Sequence, residues 1–245
     1  MGTYEEQIGL ELEFWKRDIQ KKPSILGNIA TKVQTKINSY IPSKVHKAIT
    51  TTIKQMVKAV LFGSTYTTST IPDESISLLH REALVKDKID TYCKTGATEG
   101  GITGAGGFLM SLADFPILIG IKLKMLFEIA AIYGYDVKDY RERLYILHIF
   151  QLAFSSTKGT QNIFAQMQNW DEKLIVLPEN ADQFDWQTFQ QEYRDYIDLA
   201  KLAQMLPVVG AAVGAVANYQ LLKKLGKTAM MAYRMRDKSI EHSSN

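Results

Sequence analysis

The sequence predicts an all-α protein, a multi-helix bundle in which two helices rich in glycine and alanine pack at the centre. Apolar residues recur every three or four positions through most of the chain, which is the period of a helix rather than of a strand. Small residues also recur four apart in two places, at Gly96, Gly100 and Gly104 and at Gly210 and Gly214. On a helix, each set lines one face. The composition agrees, because 46% of the residues are hydrophobic, as in globular proteins.

The cysteine content and the first residues limit the compartment and the kinds of site that the protein can have. Cys93 is the single cysteine, which rules out an internal disulfide framework and suits a reducing compartment. The opening residues are acidic where a secretory signal would be basic, so no signal peptide is expected. No second His or Cys stands at metal-ligand spacing from His148, and we expect neither a metal nor a cofactor.

The N-terminal third combines one mixed-charge helix with a block of lysines. A helix is expected from Tyr4 to about Lys22, ended by Pro23, and residues 20–72 then contain eight lysines and no Asp, Glu or Arg. Two basic amphipathic helices are predicted inside the block, one after Ser24 and one from Ser43, joined at a proline. The lysines on their polar sides are Lys32, Lys36, Lys44, Lys47, Lys54 and Lys58.

Basic amphipathic helices of this kind lie on anionic bilayers. Lysines on the outer side of a helix are also what any bundle presents to water, so that alternative stays open. The absence of acidic residues over residues 20–72 favours a membrane or partner surface. Nucleic acid is not expected as a partner, because the block has no arginine and few aromatic residues for base readout and stacking.

A Ser/Thr-rich linker follows, and Asp73 is expected to cap a helix that leads into the glycine-rich stretch TGATEGGITGAGGFLMSLADFP, residues 95–116. A phosphate-binding loop would need Lys and then Ser or Thr after the last glycine, whereas Phe108 and Leu109 stand there. The glycine spacing predicts instead a close helix-packing face. A turn at Gly104 to Gly107 is the alternative for the second half of the run.

Asp114 lies two residues before Pro116, so its carboxylate is expected to accept from the first-turn amides of the next helix. The alternative is an ionisable group in an apolar segment, which would mark an ion path or a site. The following helix is apolar nearly all round, which predicts central burial, and Gly134 ends it. Further helices are expected at residues 137–154 and 160–170 and from Asp185, with a surface loop at residues 171–184.

The second small-residue face lies in LPVVGAAVGAVANY, within 21 residues without a charge from Leu202 to Leu222. That length is sufficient to span a bilayer, but alanine, glycine, Pro207 and Asn218 dilute the segment and favour a buried hairpin helix or a segment that enters the membrane only in a complex. We expect this face to pack on the one at Gly96, Gly100 and Gly104. A basic helix at Lys227 to Arg236 is expected after Gly226.

The chain resembles the EcsC family, bacterial proteins named from an operon that also encodes an ABC transporter. The glycine-rich stretch, the helix ending in IAAIYGYD, the segment RERLYIL and the segment LPVVGAAVGAVANYQLLKKLGKTAMMAYRMR carry the resemblance, which spans roughly residues 90–236. It implies an α-helical, cytoplasm-facing protein linked by genome context to an ABC exporter and to secretion. No catalytic residues come with it.

These observations predict N-terminal helices at 1–72, a helical core at 73–236 and a polar tail at 237–245, expected to form one compact domain. The favoured function is a non-enzymatic protein, peripheral to the inner face of the cell membrane, that serves as accessory or regulator of an ABC transporter or secretion complex. One alternative is insertion of the glycine-rich helices into the membrane with homo-oligomerisation. The other is a hydrolase-like enzyme using clustered carboxylates such as Glu99, Asp114, Glu128 and Asp136.

Overall fold

The computed structural model describes residues 3–21, 43–62, 76–105, 107–155, 157–179, 181–183, 185, 189 and 211–242. These residues form helices and turns and contain no β-strand, which confirms the all-α prediction. The helices are α1 (Tyr4–Gln20), α2 (Ser43–Phe62), α3 (Leu78–Ala105), α4 (Gly107–Ile132), α5 (Tyr140–Phe154), α6 (Thr157–Met167), α7 (Trp170–Lys173), a 3₁₀ turn (Ala181–Gln183), α8 (Ala211–Arg234) and α9 (Lys238–His242).

The N-terminal helices begin as the sequence predicts. Thr3 caps α1 through a capping box with Glu6, and the buried residues of α1 include Ile8 and Leu12. The predicted helix from Ser43 is α2. The predicted helix after Ser24 and the linker at 63–72 lie outside the described residues.

The longest interhelical contact joins α3 and α8, and α4 packs against both. The two helices run antiparallel, because Arg234 meets Glu82 at one end while the backbone of Gly226 lies against Ile89 further along. A Cβ at Gly226 would lie 2.6 Å from Ile89 Cγ1 and 2.9 Å from its Cγ2, so glycine permits this close approach. Small residues therefore do serve helix packing here.

The predicted central burial of α4 is confirmed. Gly134 ends that segment with φ +92°, and its amide and that of Tyr135 donate to the carbonyls of Ala131 and Ala130 at 2.9 and 3.1 Å. This pair of bonds is a Schellman C-cap, which requires the left-handed backbone that glycine adopts easily. The buried residues of α4 include Phe115, Leu118, Ile119, Leu123, Met125, Leu126, Phe127, Ile129 and Ala130.

Several helix boundaries differ from the sequence prediction. Helix α4 begins at Gly107 and continues through Pro116, so Asp114 lies inside the helix and does not occupy its N-cap position. Helix α3 begins at Leu78, where Ser77 Oγ accepts from the amide of His80 at 3.3 Å, rather than after Asp73. Helix α8 runs through Gly226 without a break, because the close approach of Ile89 favours glycine in the helix interior.

The glycine-rich stretch divides between two helices. Gly96, Gly100 and Gly104 all lie in α3, which ends at Ala105, and α4 begins two residues later. The chain therefore changes helix at the position where a turn was the alternative. Among the described residues, no helix is long and apolar enough to cross a membrane; residues 202–210, with Gly210, lie outside them.

Candidate functional site

The outer side of α2 carries a row of lysines. Lys47, Lys54 and Lys58 are exposed, at spacings of seven and four residues that keep them on one helix face. We call these three side chains the lysine face. Lys44 lies in the first turn of the same helix, and Lys32 and Lys36 lie outside the described residues.

The inner side of α2 is packed against the protein. Ile49, Ile53, Val57 and Val60 belong to the main core and are at most 3% exposed, and α2 contacts α4 and α5. The apolar side of this amphipathic helix is therefore already buried. A bilayer could therefore contact the lysine face, but it could not take up the apolar residues of α2.

A buried ion-pair cluster joins the N-terminal helix to the C-terminal end of α8. Arg234 donates to both oxygens of Glu82 at 2.6 Å, and its third nitrogen donates to Glu11 Oε2 at 2.8 Å. The hydroxyls of Tyr4 and Tyr133 also donate to Glu82, at 2.6 and 3.2 Å. Burial raises the pKa of Glu82, but hydrogen bonds from Arg234 and Tyr4 outweigh that effect and leave the pKa below its usual value.

A second cluster surrounds Arg236, just after α8. Its guanidinium lies 3.8 Å from the ring centre of Tyr135 and 4.6 Å from that of Tyr145. It also pairs with Glu142 at 2.7 Å and with Asp171 at 2.6 Å. The predicted basic helix at Lys227 to Arg236 thus ends in two arginines that are paired inside the protein, Arg234 with buried Glu82 and Arg236 with buried Glu142.

The third buried cluster lies where α3, α4 and α8 meet. Lys122 is 1% exposed, and its Nζ donates to Asn218 Oδ1 at 2.9 Å and to the carbonyl of Leu118 at 3.3 Å. The thiol of Cys93, also buried, donates to the carbonyl of Tyr219 at 3.7 Å. Burial lowers the pKa of Lys122 to about 7, so a sizeable fraction of this amine is uncharged at neutral pH.

Asn218 is only partly satisfied in this cluster. Its side chain is fully buried, and among the described residues its Nδ2 has no hydrogen-bond partner. A half-satisfied polar pair inside an apolar interface is costly. The polar contact between Lys122 of α4 and Asn218 of α8 therefore leaves one buried amide group unpaired among the described residues.

Two of the four carboxylates considered for catalysis, Glu128 and Asp136, have described side chains, and each has its own separate partners. Glu128 accepts from Tyr92 at 2.8 Å and pairs with Lys88 at 3.1 Å. Asp136 instead accepts from the amide of Lys138 at 2.9 Å, within a turn. The side chains of Glu99 and Asp114 lie outside the described part of the chain.

His148 lies in the core. It is 8% exposed, its Nδ1 donates to Gln151 Oε1 at 3.3 Å, and its ring packs edgewise on Trp170 and Phe189. Burial lowers its pKa to about 4, so the imidazole is neutral near pH 7. This position suits packing rather than proton transfer.

The three buried clusters were not predicted from the sequence. Glu82 looks like an ordinary solvent-facing charge, and nothing in the local pattern pairs Glu82 or Lys122 with residues more than 90 positions away. One usable signal was Lys122 itself, since it interrupts a segment that is apolar nearly all round. The three clusters have one feature in common: a side chain from α8, or from the residues just after it, binds a charged side chain of an earlier helix.

Comparisons with known proteins identify the family of the chain. The sequence profile described as "EcsC protein family" matches residues 6–237. "Protein EcsC" of Bacillus subtilis (strain 168) is 46% identical over 222 residues, which cover 91% of this chain and 91% of that protein. "Uncharacterized protein YdbA" of the same strain is 28% identical over 245 residues, covering 92% of this chain and 90% of that protein. No solved structure matches the chain. The chain belongs to the EcsC family.

Proposed function

We propose that the protein is a non-enzymatic, membrane-associated helical protein that binds the anionic inner surface of the cell membrane through the lysine face. In this role it serves as an accessory or regulator of a membrane complex such as an ABC transporter. The observation that carries the proposal is the row of exposed lysines at 47, 54 and 58, within a 53-residue block that contains no acidic side chain.

The mode of binding follows from the packing of α2. Its apolar side is buried in the core, so the lysine face contacts lipid headgroups by charge alone. Each lysine near an anionic surface contributes about 1 kcal/mol, and three give roughly 3 kcal/mol, which is weak and reversible. Salt screens this attraction, because the Debye length is about 8 Å at physiological ionic strength.

The choice of an ABC transporter as partner rests on the family. The EcsC resemblance implies a genomic link to an ABC exporter, and an accessory protein would need to stay close to the membrane that holds it. A weak electrostatic contact raises the local concentration of the protein at that surface. The specific contact with the transporter would then supply the remaining affinity.

Vesicle flotation tests the electrostatic contact. Wild type is compared with K47E/K54E/K58E and with K94E/K124E/K227E, a control that makes the same charge change at lysines exposed on α3, α4 and α8. We expect the α2 variant to lose binding to anionic vesicles at low salt and the control to lose less. Equal loss in both variants would mean that only net charge matters, which contradicts a dedicated lysine face.

An alkaline wash of the bound fraction separates this proposal from insertion of the glycine-rich helices. A peripheral protein is released by salt or alkali, whereas an inserted helix is retained. Retention of the wild type after both treatments would overturn the peripheral mode and favour insertion.

A further inference from the structure

A short turn after α7 exposes two aliphatic side chains. Ile175 and Val176 are each 85% exposed, more than any other large hydrophobic residue whose side chain is described. Leu174 and Leu177, on either side of them, pack partly buried against the core. We call residues 174–177 the aliphatic tip. Two adjacent β-branched residues are thus directed to solvent while their neighbours hold the turn to the protein.

The aliphatic tip is anchored at both ends. On its N-terminal side, Lys173 Nζ donates to the carbonyls of Ala165 and Gln166 at 3.1 and 2.7 Å, at the end of α6. On its C-terminal side, the hydroxyl of Tyr140 donates to the carbonyl of Pro178. A turn held in this way presents its exposed side chains with little loss of conformational entropy on binding.

The amide groups of the tip are all hydrogen-bonded within the protein. The amide of Leu174 donates to the carbonyl of Trp170 at 3.0 Å, and that of Ile175 donates to Glu172 at 3.3 Å. The amides of Val176 and Leu177 both donate to the carbonyl of Lys173, at 3.0 and 3.2 Å. An unpaired amide in hydrocarbon costs several kcal/mol, and none of the four tip amides is left unpaired.

The tip and the C-terminal end of α2 lie at the same end of α5. Tyr140, which holds Pro178, is in the first turn of α5, and Arg143 is one turn further on. Arg143 Nη1 donates at 3.4 Å to the carbonyl of Val60, in the last turn of α2. Lys58 is two residues before Val60 and exposed. The tip and the C-terminal end of α2, with Lys58, are therefore neighbours around the start of α5.

We propose that the aliphatic tip inserts Ile175 and Val176 into the membrane whose headgroups the lysine face contacts. This inference rests on the proposed function. Because the apolar side of α2 is buried in the core, the tip supplies the apolar side chains that enter the bilayer. Glu172 and Glu179 bracket the tip and are exposed, so the tip itself gains nothing from anionic lipid. The contribution of Ile175 and Val176 is hydrophobic, and at high salt, where repulsion between these glutamates and anionic lipid is screened, it does not depend on lipid charge.

Flotation at high salt tests the tip by removing the lysine contribution. The variant I175S/V176S is compared with L10S/F14S, a control at two residues of α1 that are 63% and 67% exposed. Burying two aliphatic side chains supports at least about a tenfold gain in partitioning. We expect a loss of that size in the tip variant, equal on anionic and zwitterionic vesicles, and none in the control. An unchanged tip variant, or an equal loss in the control, would overturn the inference.

A label on the tip gives a second readout. In a Cys93→Ala background, Val176→Cys or Leu10→Cys carries an environment-sensitive fluorophore, and vesicles contain lipids with a quencher in the acyl chain. We expect quenching of the label at 176 and none at 10. A bound protein whose label at 176 stays unquenched would refute insertion and favour a protein partner for the tip.

These measurements separate the two proposals. If K47E/K54E/K58E loses binding while the tip variant does not, the lysine contact stands and the tip inference fails. If only the tip variant loses binding, the tip stands and the electrostatic proposal fails. Absence of wild-type binding to either vesicle would overturn both.

Discussion

Lys122 shows how one side chain sets the properties of an interface. Its amine lies in an apolar interior, and among the described residues no carboxylate lies against it; its contacts are Asn218 and a backbone carbonyl. Burial disfavours the charged form and lowers the pKa to about 7. The residue therefore lowers the stability of the folded state, and that cost depends on pH.

The sign of the pH dependence follows from linkage. The pKa of Lys122 is about 7 in the folded protein and 10.5 as the unperturbed reference value, so between these values the unfolded state binds more protons. The contribution of Lys122 to the free energy of unfolding therefore rises with pH across that window, by about 2 kcal/mol between pH 7 and 9. In urea titrations at pH 7 and pH 9, we expect the free energy of unfolding of wild type to rise by that amount relative to that of Lys122→Met. Lys124→Met, at an exposed lysine of the same helix, should show no such trend, and a flat difference for Lys122→Met would refute the assignment.

Glu82 and Glu11 share one arginine but differ in burial. The Glu82 side chain is 0% exposed and that of Glu11 is 62% exposed, while Arg234 is buried between them. Removing a buried partner leaves an uncompensated charge, which costs about 3–5 kcal/mol, whereas an exposed pair is worth about 1 kcal/mol or less. We expect Glu82→Gln to lower the free energy of unfolding several times more than Glu11→Gln in matched denaturant titrations. Similar losses would mean that burial does not govern this cluster.

At the scale of helices, the antiparallel contact of α3 and α8 sets the packing of the glycine faces. Along this contact Glu82 meets Arg234, Ile89 meets Gly226 and Gly96 meets Leu222. Both backbones continue as helices beyond Gly96 and before Leu222. Extending the register predicts that Gly100 lies near Ala215 and Gly104 near Ala211, beside Gly214. The pairing of the two small-residue faces stays a prediction on this basis.

Gly214→Leu tests that register. If the two faces meet, a leucine at 214 overpacks the contact and destabilises the protein by about 1–3 kcal/mol. Val216→Leu, at a residue of the same helix that is 62% exposed, is the matched control and should be nearly neutral. Unfolding curves report the stability, and flotation reports the membrane behaviour. A Gly214→Leu protein with wild-type stability and wild-type binding would disprove the paired faces.

At the scale of the whole molecule, the N-terminal helices are joined to the core rather than appended to it. Helix α2 contributes Ile49, Ile53, Val57 and Val60 to the main core. Helix α1 packs on α6, α8 and α9. The boundary expected at residue 72 therefore divides the sequence by charge, and both sides contribute to one packed structure.

A fragment of residues 73–245 tests whether the N-terminal helices are required. Without them, the core loses α2, Glu82 loses Tyr4, and Arg234 loses Glu11. We expect the fragment to lack a cooperative thermal transition and near-ultraviolet circular dichroism, while the full chain shows both. A cooperatively folded fragment would establish 73–236 as an independent domain.

Much of the helical architecture was predictable because it depends on short-range patterns. The start of α1, the burial of α4, the end of that segment at Gly134 and the outward lysines of α2 all follow from apolar spacing, capping chemistry or backbone conformation. The same local rules placed a helix start at Asp114 and a break at Gly226. Gly226 lies inside α8 because its close contact with Ile89 outweighs the low helix propensity of glycine, and α4 begins at Gly107, before Asp114.

By itself, the sequence determined the all-α class, the family, the charge-polarised N-terminal third and the face of α2 that remains in water. The tertiary structure alone decided which charges are buried: Glu82 with Arg234, Arg236 between two tyrosines, and Lys122 against Asn218. It also decided that Ile175 and Val176 are exposed at an anchored turn. Helix periodicity depends on neighbours a few residues apart, whereas these contacts join residues brought together only when the helices pack.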